Sequence, residues 1–166
     1  MLVPLKWLRD YVNIDKDTQE FADMMTMTGS KVEKVEFFGK EINGVEVCKI
    51  LQIEQHPDAE RLAVTKVEVA DGQILQIVTN AKNIKVGDYV PVARIGAVLP
   101  GDFKIKKGKL RGVLSEGMFC GAEELTIPSQ YVEDHKKDGI YILDNKDSFE
   151  LGMDVREALE INDALI

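Results

Sequence analysis

Cysteine is scarce: Cys48 and Cys120 are the only two in 166 residues. Their spacing fits no metal-ligand set and no disulfide framework, so both read as packed thiols in a reducing setting. Long apolar runs are missing too. Nothing approaches the roughly 20 residues a membrane-spanning helix needs, and the opening MLVPLKWLRDYV is too short and too charged for a signal peptide. A cytoplasmic chain with no membrane partner is the expectation. Low-complexity tracts and internal repeats are also lacking.

Catalytic signatures are absent in the same way. There is no glycine-rich phosphate loop of the P-loop or dinucleotide type. The stretch Lys107-Gly-Lys-Leu-Arg-Gly112 has the glycines but lies in a basic, extended region with no helix after it. His56 and His135 are the only histidines and lie far apart, with no HExxH or comparable zinc spacing. Ser115-Glu116-Gly117 lacks the GxSxG elbow that presents a nucleophile. Each of these reads as structural, and the segment is expected to be non-catalytic, without cofactor or metal.

What remains is an ordinary globular composition, 45% apolar and 30% charged, in a length that suits one domain or a barrel with a small companion. The net charge is −8, which alone argues against a polyanionic partner. Its distribution argues otherwise. Between Arg94 and Arg111 stand six basic residues (Arg94, Lys104, Lys106, Lys107, Lys109, Arg111) against one acid, Asp102. That island carries +5 and leaves −13 for the rest. A basic patch on an acidic body steers a polyanion to one face. The blander reading is a solvated hairpin kept soluble by its lysines.

The first 39 residues read as helical, then extended. Leu5, Leu8, Tyr11 and Val12 form one helical stripe, with Trp7 beside it. Asp17 or Thr18 caps a second helix through about Thr28, with Phe21, Met24, Met25 and Thr28 on one side and Gly29 as its stop. A strand is expected over 31–38. From Val45 onward the signal changes to short strands: Val45–Gln55, Leu62–Ala70, Ile74–Val78 and Tyr89–Ile95. The turn His56-Pro57-Asp58 ends the first, and Asp71-Gly72 makes a hairpin of the next two. Within Leu62–Ala70, Leu62, Val64, Lys66 and Glu68 alternate with Ala63, Thr65, Val67 and Val69. Closely spaced strands and turns suggest a small barrel, with a sandwich as the alternative. The tail from Gly152 is helical again, with Val155, Leu159 and Ala158 on one side. It ends on the apolar pair Leu165-Ile166, which suggests that a longer chain continues beyond it.

The segment LPGDFKIKKGKLRGVLSEGMFCGAEEL, 99–125, concentrates the functional signal. Pro100-Gly101 turns the chain, Phe103 and Ile105 offer an apolar face, and Lys104 and Lys106 point the other way along an extended strand. Gly108 is placed to act as a bulge that re-aims Lys107, Lys109 and Arg111 toward one surface. Gly112 and Gly117 suit tight turns, with Met118 turned into the barrel. Lysines and arginines on extended backbone track a phosphate chain without reading bases.

Three pieces, HPDAERLAVTKVEV (56–69), QIVTNAKNIKVGDYVPVARIGAVLPG (76–101) and KIKKGKLRGVLSEGMFCGAEEL (104–125), closely resemble the tRNA-binding OB domain of several tRNA synthetases and free-standing tRNA-binding proteins. The chain departs from that pattern at Asn80, Asp102 and Gly121, where the family often has Gly, Gly and Ser; Asn80 can supply a left-handed conformation in place of Gly. The flanks narrow the choice. PLKWLRDYV, TGSKVEKVE, DGIYIL (138–143) and LGMDVREALEINDALI (151–166) resemble the N-terminal region of bacterial phenylalanine–tRNA ligase β subunits. The resemblance implies a mainly β fold: an OB-type barrel over 40–151, inserted in a small α+β domain formed by 1–39 and 152–166. It implies an auxiliary tRNA-binding role through Lys104, Lys106, Lys107, Lys109 and Arg111, with Arg94 and Lys82 as outlying contacts. It also implies a parent α2β2 ligase, in which the α subunit is the protein partner and ATP and magnesium serve the parent alone. DNA is not an expected partner. The competing readings are a structural insertion with little tRNA contact, and a free-standing tRNA-binding protein.

Overall fold

The computed structural model describes residues 1–129, 132–144 and 148–166. The chain divides into two compact units: Met1–Lys40 with Glu160–Ile166, and Glu41–Leu159.

In the first unit, α1 (Leu5–Arg9) follows Pro4, whose missing N–H costs nothing where no helical acceptor exists. Leu5 is buried, whereas Tyr11 and Val12 of the expected stripe lie exposed beyond the helix. The second helix, α2 (Thr18–Met27), is capped by Asp17, whose carboxylate accepts from the N–H groups of Gln19 and Glu20, both at 2.9 Å. Such a cap contributes about 1 kcal/mol. The covered face of α2 carries Thr18, Phe21, Ala22 and Met25, spaced three and four apart. Met24 and Thr28, expected on that face, are exposed. Size misleads here: the small Ala22 is buried and the large Met24 is not. The strand expected over 31–38 contracts to β1 (Glu36–Phe37), paired antiparallel with β10 (Ala164–Leu165) near the end of the chain. Val3 and Ile166 exchange backbone hydrogen bonds of 2.9 and 3.1 Å, so both chain ends belong to this unit.

The second unit is built on β2 (Asn43–Gln55), β3 (Ala63–Glu68), β4 (Ile74–Thr79), β5 (Tyr89–Leu99), β6 (Phe103–Lys104), β7 (Gly108–Leu110), β8 (Val113–Ser115) and β9 (Gly117–Phe119). Among the described residues it also holds two short α-helices, α3 (Asp134–Lys137) and α4 (Val155–Ala158). The antiparallel sheet runs β4-β3-β2-β5-β6, with β9 also paired to β5. It curls into a half-barrel, the mainly β, OB-like fold expected above. Beyond the ladder, Glu116 N donates to Gln76 O (2.8 Å), the Gln76 amide to Leu114 O (2.8 Å), and Val78 N to the Ser115 hydroxyl (3.1 Å). These bonds bridge β4 to the 114–116 segment and bring the two sheet edges together.

Alternation in β3 fixes its inward face: Thr65, Val67 and Val69 are fully buried. The one polar member is satisfied, its hydroxyl donating to Ile77 O at 2.7 Å. With Cys48, Ile50, Leu75, Ile77, Val90, Val92 and Phe119, the two valines form the barrel core. Each large aliphatic there contributes about 1.5–3 kcal/mol by burial. Phe119 takes the core position expected of Met118, which is only half-buried. A strand side chain reverses face at every residue, so a one-residue error in register exchanges the two.

The expected domain boundary lies at 152; the structure's lies at 160. Gly152 N donates to Val47 O, Val47 N to Met153 O, both at 2.9 Å, and Val155 is fully buried, which ties 152–159 to β2.

Candidate nucleic-acid interface

The β5–β6 turn places Gly101 and Asp102 at positive φ, 82° and 56°. Glycine accepts that region freely and aspartate tolerates it. Asn80, which can adopt it, is not among the positive-φ residues; Asp102 is. Val98 and Leu99 then pair with Lys104 and Phe103, and Gly96 N to Ile105 O (2.8 Å) with Ile105 N to Ala97 O (2.9 Å) continue the register. Ile105 is thereby buried, while Phe103 is 56% exposed, so the expected apolar face is split. Lys104 and Lys106, flanking Ile105, point to solvent.

Gly108 is no bulge. It opens β7, which pairs with β8 in a hairpin whose two-residue tip is Arg111-Gly112. Both tip residues have positive φ, 51° and 84°, as the tightest hairpin connection requires. What gathers the cations is this hairpin beside β6. Lys104, Lys106, Lys107, Lys109 and Arg111 are all exposed, and among the described residues none forms an ion pair. Cations held apart from carboxylates remain available to an external anion.

The outlying candidates are engaged elsewhere. Arg94 is half-buried, with one guanidinium nitrogen 3.4 Å from Glu46 and another donating to Gln73 at 2.9 Å. The Lys82 ammonium donates to Arg61 O at 3.3 Å. Lys136, not a candidate from sequence, is buried against Asp144, Glu133 and the Tyr141 ring. Burial alone would lower its pKa; the hydrogen bond and charge of Asp144, with Tyr141 and Glu133, outweigh it and raise it.

One positioning group is invisible to a motif search. His56 is 2% exposed, and its Nδ1 accepts the N–H of Asp58 at 3.0 Å. That leaves the proton on Nε2, which donates to Leu110 O at 2.9 Å. His56 therefore pins β7 to the barrel. Among the described residues it supplies the one hydrogen bond that ties 106–111 to the barrel outside the hairpin's own pairing. The useful sequence signal is its place at the head of HPDAERL, not its chemistry as a ligand.

Cys48 and Cys120 are buried and free. Burial pushes both thiols up to about 12, with Glu46 adding to the effect at Cys48 and Glu124 at Cys120. Neither offers a thiolate at neutral pH. Gly121 has no room for a side chain. A Cβ there would lie 2.6 Å from Gly139 O.

Residues 45–153 match the tRNA_bind family model, described as "Putative tRNA binding domain". The chain belongs to this tRNA-binding domain family. Across its whole length it is 48% identical over 166 residues to the phenylalanine–tRNA ligase β subunits of Clostridium tetani and Clostridium acetobutylicum. It is 45% identical over the same length to that of Acinetobacter baylyi. In each case it covers 100% of this chain and 20% of the relative, so it spans about one-fifth of their length. Among solved structures, the C-terminal domain of Plasmodium vivax p43 aligns at 26% identity and TM-score 0.38, covering 48% of this chain and 45% of that one. A Naegleria gruberi RNA ligase mutant aligns at 16% identity and TM-score 0.46, covering 72% and 35%. The matched residues include β6, β7 and the hairpin tip.

Proposed function

We propose that this chain is the auxiliary tRNA-binding part of a phenylalanine–tRNA ligase β subunit, and that it holds the RNA backbone with Lys104, Lys106, Lys107, Lys109 and Arg111. The observation that carries the reading is the set of five exposed, unpaired cations on one hairpin and its neighbouring strand. Flexible ammonium groups on extended backbone match the spacing-tolerant chemistry of phosphates. The half-buried Arg94 and the engaged Lys82 contribute less.

In the parent enzyme the role is retention and orientation of tRNA, not chemistry. Charging with ATP and magnesium belongs to an α subunit, within a cytoplasmic α2β2 assembly. The family resemblance and whole-length similarity to β subunits support this reading.

The test is a salt titration of tRNA binding to the 166-residue chain. Displacement of counterions by five contacts gives a slope of log K against log salt of about −3.5 to −4.5. A slope near zero would leave the hairpin as a solvated surface. That outcome supports the structural-insertion reading, which the charge of −13 outside the island favours.

A further inference from the structure

We infer that the basic hairpin also carries a subsite for one unpaired nucleobase, in the cleft between β6 and β7 with Phe103 as its stacking platform. The inference rests on the tRNA-binding reading and goes beyond it, because backbone contacts alone do not distinguish single strands from duplex.

Two large apolar side chains stand exposed beside these cations: Phe103, next to Lys104, at 56%, and Leu110, between Lys109 and Arg111, at 45%. Exposure of isolated apolar residues is common. These two are not isolated, because they face one cleft of about 330 Å³ whose walls also include Ile105, Met118 and Val78. Its rim is cationic, formed by Lys104, Lys106 and Lys109. Among the described residues no carboxylate lines it. An apolar slot with a positive rim matches one chemistry in particular: a flat, weakly polar ring joined to an anionic backbone.

The size agrees. About 330 Å³ lies at the low end for small-molecule sites and is room enough for a base. Backbone anchoring of Ile105 and the pinning of Leu110 O by His56 hold both walls before any ligand arrives. Met118 adds a polarizable sulfur-bearing chain to the floor. Stacking on an aromatic side chain tolerates any base, so the subsite selects unpaired nucleotides rather than a sequence.

The experiment compares a ten-nucleotide oligouridylate with an abasic ribose-phosphate strand of the same length and charge, by fluorescence anisotropy, alongside tRNA. Wild-type chain should bind the base-bearing strand about 5- to 150-fold more tightly. Phe103→Leu keeps apolar bulk at an exposed position and should erase that preference while leaving abasic-strand affinity unchanged; Phe103→Trp should keep it. Equal affinity of wild type for the two strands, or a preference that survives Phe103→Leu, overturns the inference. If tRNA still binds with a steep salt dependence in either case, the backbone-binding function stands and only the base subsite fails. If neither strand nor tRNA binds, both fail.

Discussion

Replacing His56 tests how the interface is held in place. Among the described residues, β7 touches the barrel through one hydrogen bond, from the His56 imidazole to Leu110 O, and the opposite ring nitrogen caps Asp58 N–H. His56→Ala removes both bonds, each contributing about 1 kcal/mol net. It also empties the space of a side chain that is 98% buried, since only 2% remains exposed. The sum is about 2–4 kcal/mol, or roughly 5–15 °C in Tm for a domain of this size. His56→Gln supplies a side-chain N–H at about the reach of Nε2 and should recover half of the loss. Thermal denaturation followed by circular dichroism reads the global effect. Amide exchange at Leu110 and Val113 reads the local one, and both should lose protection before the core strands do. tRNA affinity should fall with hairpin order even where the barrel stays folded. A His56→Ala melt within 2 °C of wild type, with exchange at Leu110 unchanged, would refute the anchoring role.

Other consequences follow from single positions. Gly117→Ala puts a Cβ 2.9 Å from Ala93 O and should lower stability by about 1–3 kcal/mol in urea melts. Gly121→Ser should also destabilise, because Gly139 O lies 2.6 Å from the new Cβ. Asp102→Gly relieves a left-handed aspartate and deletes an anion beside the lysines, so tRNA affinity and stability should both rise in binding and melting assays. The thiols should resist iodoacetamide at pH 8 until the protein is unfolded. Their folded values are raised, so their contribution to stability is complete below about 9 and is lost as pH climbs toward 12. Urea midpoints taken from pH 8 to 11 should therefore fall more steeply in wild type than in Cys48→Ala.

The barrel was legible because its signals are local and periodic. Alternation in 62–70 and the Asp71-Gly72 turn needed no tertiary information, and the structure puts Thr65, Val67 and Val69 inward together. The terminal unit was harder. Its strand at 36–37 exists only by pairing with 164–165, a partner more than a hundred residues away that no window contains. At the interface, residue types announced the cations, but not their geometry. Glycine in a basic run reads equally as bulge, turn or strand end, and Arg111 at positive φ resolves it in favour of a hairpin tip at 111–112. The ties of Arg94 to Glu46 and Gln73, and of His56 to Leu110, bridge segments 21 to 54 residues apart and leave no pattern in sequence.

The most direct measurement is tRNA binding by a variant with four charges reversed, Lys106→Glu, Lys107→Glu, Lys109→Glu and Arg111→Glu. All four are exposed and free of ion pairs among the described residues, so the barrel should melt close to the wild-type temperature. Filter binding at low salt should then show tRNA retention abolished, with the salt dependence gone. Unchanged affinity in a folded variant would contradict the account and leave the hairpin without a role in holding RNA.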